Sequence, residues 1–324
     1  VVLSGVLVAA AIAAVAWVAG AAVPLVGAPV LAMLLGLGAR TTLGLPAALR
    51  PGVDFTLKRL LRLAIVLFGA TLSFADVIRI GGASVVVVGA TVVLALLLTT
   101  LIGRALRAPD GLVGLIGVGT AICGATAILT VGPIVEAREE EIAFAVTTIF
   151  LFNLLAVVVY PLLGHGLALP DATFGVWAGA AIHDTSSVLA AAFAYSESSG
   201  QTATVVKLTR TLVLVPLALA YGIAHSARTP GRGGRVRVAK IFPWFVLWFA
   251  AAALLNTAGA VGPDAERAAG LAGRFLVVMV MAAVGLSADL ARMRAIGLRP
   301  LYVGLAASVV IAAVSLGLIE ALTR

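Results

Sequence analysis

The stretch Gly179-Ala-Ala-Ile-His-Asp-Thr-Ser-Ser-Val-Leu189 decides how this chain is read. Gly179, His183, Asp184, Thr185, Ser186 and Ser187 crowd into a run that is otherwise apolar from Phe174 to Ala194. A uniform lipid-facing helix does not tolerate that density, because hydrocarbon offers no water to its polar groups. Such backbone survives where it is buried in protein or lines a wet cavity. Asp184, Thr185, Ser186 and Ser187 are good helix N-caps. A helix break here aims free N–H groups and a positive dipole end into the cavity, which suits an anion. The plainer alternative is a buried polar knot that holds spans together. Asp184 is the one acid near the middle of a predicted span. Asp54, Asp76, Asp110, Asp171, Asp264 and Asp289 sit at span ends.

The same frame occurs 60 residues upstream, as Gly119-Thr-Ala-Ile-Cys-Gly-Ala-Thr-Ala-Ile-Leu129 against Gly179–Leu189. Gly, Ala, Ile and Leu match in register. Two polar broken-helix elements are therefore expected, near 114–131 and 175–190. A weaker echo pairs Phe68–Asp76 with Ala282–Leu290. Repeated, Gly-interrupted spans point to a transporter's binding site. The parity is awkward. Segments 110–134 and 173–195 run in the same direction if both cross fully, so an inverted architecture rests on the weaker echo unless one of the stronger pair is re-entrant.

The rest of the chain fits a membrane. Of 324 residues, 62% are hydrophobic and 11% charged, with a mean hydropathy of +1.17. A compact body of about 300 residues buries only about 75% of its surface, so this apolar load excludes a soluble enzyme. A disordered chain and a disulfide scaffold are excluded as well. Apolar runs give eleven candidate spans: 2–20, 24–39, 60–76, 82–103, 110–134, 140–163, 173–195, 202–223, 242–260, 270–288 and 299–322. The first 20 residues lack a basic leader region and read as a retained span. The whole of 1–324 reads as one integral membrane domain. The fold class is an all-α polytopic membrane protein of about 11 transmembrane helices.

Connections after even-numbered spans carry fifteen Lys and Arg, among them Arg40, Lys58, Arg59, Arg62, Arg104, Arg107, Arg292 and Arg299. The other connections and the C-terminus carry four, Arg79, Arg138, Arg267 and Arg324. This asymmetry predicts a cytoplasmic N-terminus and an outside C-terminus. The formal charge of +8 is thus mostly a topology signal. The segment 224–240 reads as a basic cytoplasmic linker that meets anionic headgroups. It lacks the interleaved aromatics of a nucleic-acid surface.

Lysines number only three, Lys58, Lys207 and Lys240, so one inside a span needs a reason. Lys207 and Arg210 are three apart and share a helical face. With no acid near them in sequence, they imply a partner, either Asp184 or a bound anion. Snorkelling is the plain alternative for Lys207. In the span at 110–134, Gly114, Gly117, Gly119, Thr120, Cys123, Gly124 and Thr126 serve close helix packing, ligand-lining backbone, or both. Cys123, the single cysteine, excludes an internal disulfide and reads as a small buried hydrophobe. Thr147, Thr148 and Asn153 add hydrogen bonds or act as buried glue. His183, Asp184 and Ser186 do not make a triad, because neighbours on a helix point about 100° apart and do not orient one another. No metal-protease, P-loop or paired-carboxylate motif occurs.

The stretches GTAICGATAI (119–128), WAGAAIHDTSSV (177–188) and VKLTRTLVLVP (206–216) resemble the signatures of the YeiH-like family of bacterial inner-membrane proteins, to which sulfate export is ascribed. RLLRLAIVLFGATLS (59–73) and FPWFVLWF (242–249) fit the same family. Ala125 and Thr126 stand where its usual wording has Gly and Ser, and both keep the site small. That family is similar to bile-acid-symporter-like and cation/proton-antiporter-like carriers. The resemblance implies an inverted-repeat fold, with a core domain of two broken, crossing helices that moves against a scaffold domain in elevator fashion.

The leading expectation is a secondary transporter of a small anion, sulfate or a related sulfur oxyanion or sulfonate. Thr120, Cys123, Gly124, Thr126, His183, Thr185, Ser186 and Ser187 form the substrate-binding set, with Lys207 and Arg210 as compensating charge. His183 and Asp184 form the coupling element, for a proton or a sodium ion. No other cofactor or metal is expected. The partners are the lipid bilayer and the anion, with no nucleic acid, and a homodimer is admissible. Two other readings stand beside it: a proton- or sodium-coupled cation exchanger using Asp184, and a membrane-embedded enzyme using His183 or Cys123. A passive channel is a fourth.

Overall fold

The computed structural model describes residues 2–22, 27–228, 238–288 and 298–323, which carry helices and no strand. The basic linker read at 224–240 falls largely outside them, as do Asp289, Arg292 and Arg294. The helices are α1 (Val2–Ala22), α2 (Gly27–Leu43), α3 (Arg50–Phe55), α4 (Leu61–Gly69), α5 (Phe74–Ala105), α6 (Asp110–Ala121), α7 (Ala125–Ile134), α8 (Glu139–Gly166), α9 (Asp171–Ala181), α10 (Thr185–Tyr195), α11 (Glu197–Leu212), α12 (Leu214–Arg228), α13 (Val238–Ile241), α14 (Phe245–Thr257), α15 (Pro263–Ser287) and α16 (Leu298–Thr323). A π-helical turn, Thr56–Leu60, joins α3 to α4.

Among the described residues six stretches are long and apolar enough to cross a membrane: α1, α5, α8, α11 with α12, α15 and α16. Eleven apolar runs thus do not yield eleven long helices among the described residues. α2, α4 and α14 are shorter, at 17, 9 and 13 residues. The two segments that carry the echo do something else.

Each of them doubles back. Tyr195, the last residue of α10, stacks on Phe174 in the first turn of α9, with ring centroids 3.9 Å apart. Its hydroxyl donates to the Leu169 carbonyl just before α9. Ser199 Oγ, just after α10, donates to Asp171 O at 2.8 Å. The ends of α9–α10 therefore lie together, and its tip is Ile182–Asp184. In the same way a Cβ on Gly132, late in α7, would lie 3.8 Å from Leu115, midway along α6. Ile128 of α7 packs into one cluster with Leu115 and Ile116 of α6. The tip of α6–α7 is Ile122–Gly124. Helices of 10 to 12 residues are about 15–18 Å long, roughly half a bilayer.

α8 ties the two hairpins together. Its start lies at the open end of the first, where Glu141 abuts Gly111. Its end lies at the open end of the second, where Gly164 abuts Phe174 and Tyr195. Midway, Asn153 Oδ1 accepts from Asp184 N at 3.1 Å. The hairpins enter from opposite ends of α8, and their tips meet near its centre. Segments 110–134 and 173–195, for which full crossing and re-entrance both stood open, thus each double back instead of running straight. The physical reason is local. Gly124 takes φ +62°, open to glycine but strained for other residues, and Ile182 is extended at ψ 136°, so neither helix continues.

Elsewhere α2 and α15 cross at backbone contact. A Cβ on Gly36 would fall on the Ala282 carbonyl, and one on Gly285 on the Met33 carbonyl. Small residues at such crossings are the usual device of helix packing in lipid.

Candidate functional site

Where two half-helices stop in mid-protein, each leaves up to four carbonyls without partners and a negative dipole end. α6 and α9 both stop at the junction, so like poles approach one another. Lys207 and Arg210, on one face of α11, resolve this. Both are 0% exposed. Lys207 Nζ donates to Ile122 O and Ile182 O, each at 2.9 Å, and to His183 O. Arg210 Nε donates to Ala121 O at 2.7 Å. Its Nη1 donates to Ala180 O at 2.7 Å and to Ile182 O at 3.2 Å, and its Nη2 to Thr120 O.

An ammonium has three N–H donors, and all three of Lys207's go to carbonyls. The expected partner, Asp184 or a bound anion, is therefore replaced by the main chain of both hairpins. Snorkelling is excluded by the burial. The reason sequence reading looked elsewhere is that a helix C-terminus presents negative charge without any acidic residue.

The opposite poles of the junction are the N-termini of α7 and α10. Asp184 caps α10, accepting from Ser186 N at 2.9 Å and from Ser186 Oγ. Gly124 precedes α7 and offers no side-chain cap. A cavity of about 340 Å³ opens beside both starts. From the hairpins it is lined by Cys123, Thr126, Thr130, Asp184 and Thr185. Thr211 joins from α11. Lys58 of the π-helical turn and Arg62 of α4 supply the cations, and Phe242, Trp244 and Phe245 close the far wall. The Arg62 guanidinium stands 6.0 Å from the centroid of the Phe245 ring.

The predicted residues thus divide into groups. Cys123, Thr126, Asp184 and Thr185 line the cavity. Gly124 sits at the tip between Asp184 and Asn153. Thr120, Ser186 and Ser187 are buried in the hairpins beside it, at 0%, 5% and 2% exposure. Lys207 and Arg210 lie behind the tips. His183 turns the other way, into a largely apolar cavity of about 410 Å³ between α8, α9 and α16. His183 Nε2 lies 2.8 Å from Ser308 Oγ of α16, and that hydroxyl also donates to Gly304 O at 2.7 Å. His183 and Asp184 therefore face different spaces.

Sequence reading assigned Lys58 and Arg62 to topology and missed them as cavity residues. A π-helical turn often marks a functional site, but it leaves no residue signature. Thr130, Thr211 and the aromatic wall were also missed. No group of three or more His, Cys, Asp or Glu able to hold a metal occurs among the described residues.

The family described as conserved hypothetical protein 698 matches residues 4–304. A UPF0324 membrane protein of Clostridium tetani is 34% identical over 304 residues, covering 90% of this chain and 88% of its own length. One from Streptococcus agalactiae is 35% identical over 312 residues, covering 94% and 93%. One from Fusobacterium nucleatum is 32% identical over 336 residues, covering 98% and 97%. A match over nearly the whole length, with six stretches among the described residues fit to span a bilayer, makes this chain a member of the UPF0324 family of membrane proteins.

Proposed function

We propose that the protein is a secondary transporter of a small anion, sulfate or a related sulfur oxyanion or sulfonate, in the cytoplasmic membrane of a bacterium. One observation carries the reading: the N-termini of α7 and α10 open on one cavity that also holds Lys58 and Arg62. Half-helix N-termini at the midplane are where carriers bind anionic groups. Lys58 makes no hydrogen bond or ion pair among the described residues. The two head-on hairpins favour an inverted repeat, and on this reading they move together with α11 against the remaining helices. On this reading the cavity faces the cytoplasm and the N-terminus lies inside, which the bias of basic residues supports.

Asp184 is the coupling element, taking up a proton or a sodium ion as the anion arrives. Being the acid that lines the cavity, it also supports the second reading, a cation exchanger. The two separate in proteoliposomes of purified protein. The anion reading expects saturable uptake of labelled sulfate or a small sulfonate, accelerated by the same anion trapped inside. The cation reading expects proton–sodium exchange without any such anion, abolished by Asp184→Asn. Uptake no faster than in empty liposomes for sulfate, sulfite, thiosulfate and small sulfonates alike would overturn the first.

A further inference from the structure

The cavity has two unlike faces. Its floor is polar: Thr126 and Thr185 sit in the first turns of α7 and α10 beside the Asp184 carboxylate. Its far wall is apolar, built from Ile65, Phe242 and Phe245. Lys58 and Arg62 line the cavity as well. Against Asp184 these two leave a formal balance of one positive charge. The volume of about 340 Å³ falls in the range of about 300–1,000 Å³ typical of pockets for organic ligands.

A bare sulfate ion fits this poorly. It carries two charges where the lining balances one. It also strips hydration against an aromatic wall that returns no hydrogen bond, and burying a polar group without a partner is costly. The Arg62 guanidinium lies beside the apolar wall, 6.0 Å from the Phe245 ring centroid, and lines the same cavity as the hairpin starts. A charged head seated at the hairpin starts and within reach of Arg62 projects whatever it carries onto that ring. We infer that the ligand of this cavity is a singly charged organic anion, with a sulfonate or carboxylate head and an apolar body, seated between the hairpin tips and the Phe242–Phe245 wall. This rests on the anion reading proposed above and narrows its substrate.

Thermal unfolding of the wild-type protein in detergent tests it, since a ligand selective for the folded state raises the melting temperature with its concentration. The probes are sulfate, the linear alkanesulfonates from methane- to hexanesulfonate, benzenesulfonate and the alkanoates of matching length. The corresponding 1-alkanols report partition into the micelle. The half-saturating concentration is expected to fall about twofold to fourfold per methylene until the cavity is filled. Sulfate is expected to need at least tenfold more than butanesulfonate, and the alkanols to give no saturable shift. Parallel behaviour of sulfonates and alkanoates assigns recognition to charge and body; a slope in one series alone assigns the head group. Phe245→Ala is expected to flatten the slope. Should it not fold, Trp244→Ala, at a residue 56% exposed, serves in its place and is expected to act the same way. A flat series, sulfate binding as tightly as butanesulfonate, or a slope unchanged in the folded variant overturns the inference. Where sulfate alone shifts melting and exchanges, the transport reading stands and this one falls. Where no anion does either, both fall.

Discussion

Lys207 and Arg210 carry two formal charges into a place that water does not reach, and the cost of such burial is offset only by complete pairing. Removing one partner of a buried charged pair typically costs about 3–5 kcal/mol. Lys207→Met leaves three carbonyls facing one another and is expected to lose stability on that scale, read as a lower melting temperature in detergent. In Lys207→Ala, methylammonium fits the vacated carbonyl cage and restores part of the loss, whereas choline does not; equal effects of the two cations would contradict the cage. Arg210→Lys also loses stability, since one ammonium cannot reach Thr120, Ala121, Ala180 and Ile182 together. Lys58 and Arg62 behave oppositely. Both are exposed, so Lys58→Ala and Arg62→Ala are expected to fold normally and to raise the half-saturating anion concentration about tenfold, the worth of one charge-assisted hydrogen bond, in uptake assays. The shared face of Lys207 and Arg210 was legible from their spacing of three. Their partners were not, because every residue type supplies a carbonyl. Lys58 and Arg62 were visible, yet a cavity cation and a topology cation look alike in sequence.

At the level of helices, the break at 179–187 was legible because caps and small residues concentrate there. The reversal of direction was not. A run of about 22 apolar residues has the same composition whether it crosses a bilayer or enters and returns, and the difference lies in the backbone of three residues at each tip. Offset and register of the echo were readable, but whether either segment crosses fully or turns back was not, and the sequence reading left it open. Labelling from either side decides the matter. With Cys123→Ala as background, single cysteines at Asp110 and Glu136 flank the first hairpin, and at Asp171 and Ser198 the second; all four positions are exposed. A membrane-impermeant maleimide is expected to reach Asp110→Cys and Glu136→Cys from one side of oriented vesicles, and Asp171→Cys and Ser198→Cys from the other. Straight crossings would split each pair. The tips differ in tolerance as well. Gly124 has φ +62°, and a Cβ there would lie 3.3 Å from Ile149 and 3.5 Å from Asp184. Gly124→Ala is expected to cost about 1–3 kcal/mol in detergent unfolding. The equivalent Asp184 is extended, with φ −93°, so Asp184→Asn keeps the fold and the cap.

Across the whole molecule, the meeting tips separate two spaces. On the side of the first hairpin lies the cavity of about 340 Å³ with Lys58 and Arg62. On the side of the second lies one of about 450 Å³, lined by Asp76, Arg79, Ser84 and Gln201 at the starts of α5 and α11. A carrier needs a barrier between two such spaces that can be passed without opening both. The carbonyl bonds of Lys207 and Arg210 bind both tips to α11, so the tips cannot part without stranding buried charge. On the transport reading proposed above, the barrier is expected to shift as one body, hairpins with α11, past the wall that α4 and α14 provide. Fixing that wall to a hairpin should stop transport without emptying the site. Leu61 and Thr130 line the same cavity from the two groups. In the Cys123→Ala background, Leu61→Cys with Thr130→Cys, bridged by a short reducible bifunctional thiol reagent, is expected to abolish anion exchange in proteoliposomes. The anion-dependent rise in melting temperature persists, and reduction restores exchange. Bridged protein that still exchanges at the unbridged rate would mean that the two groups need not move past one another.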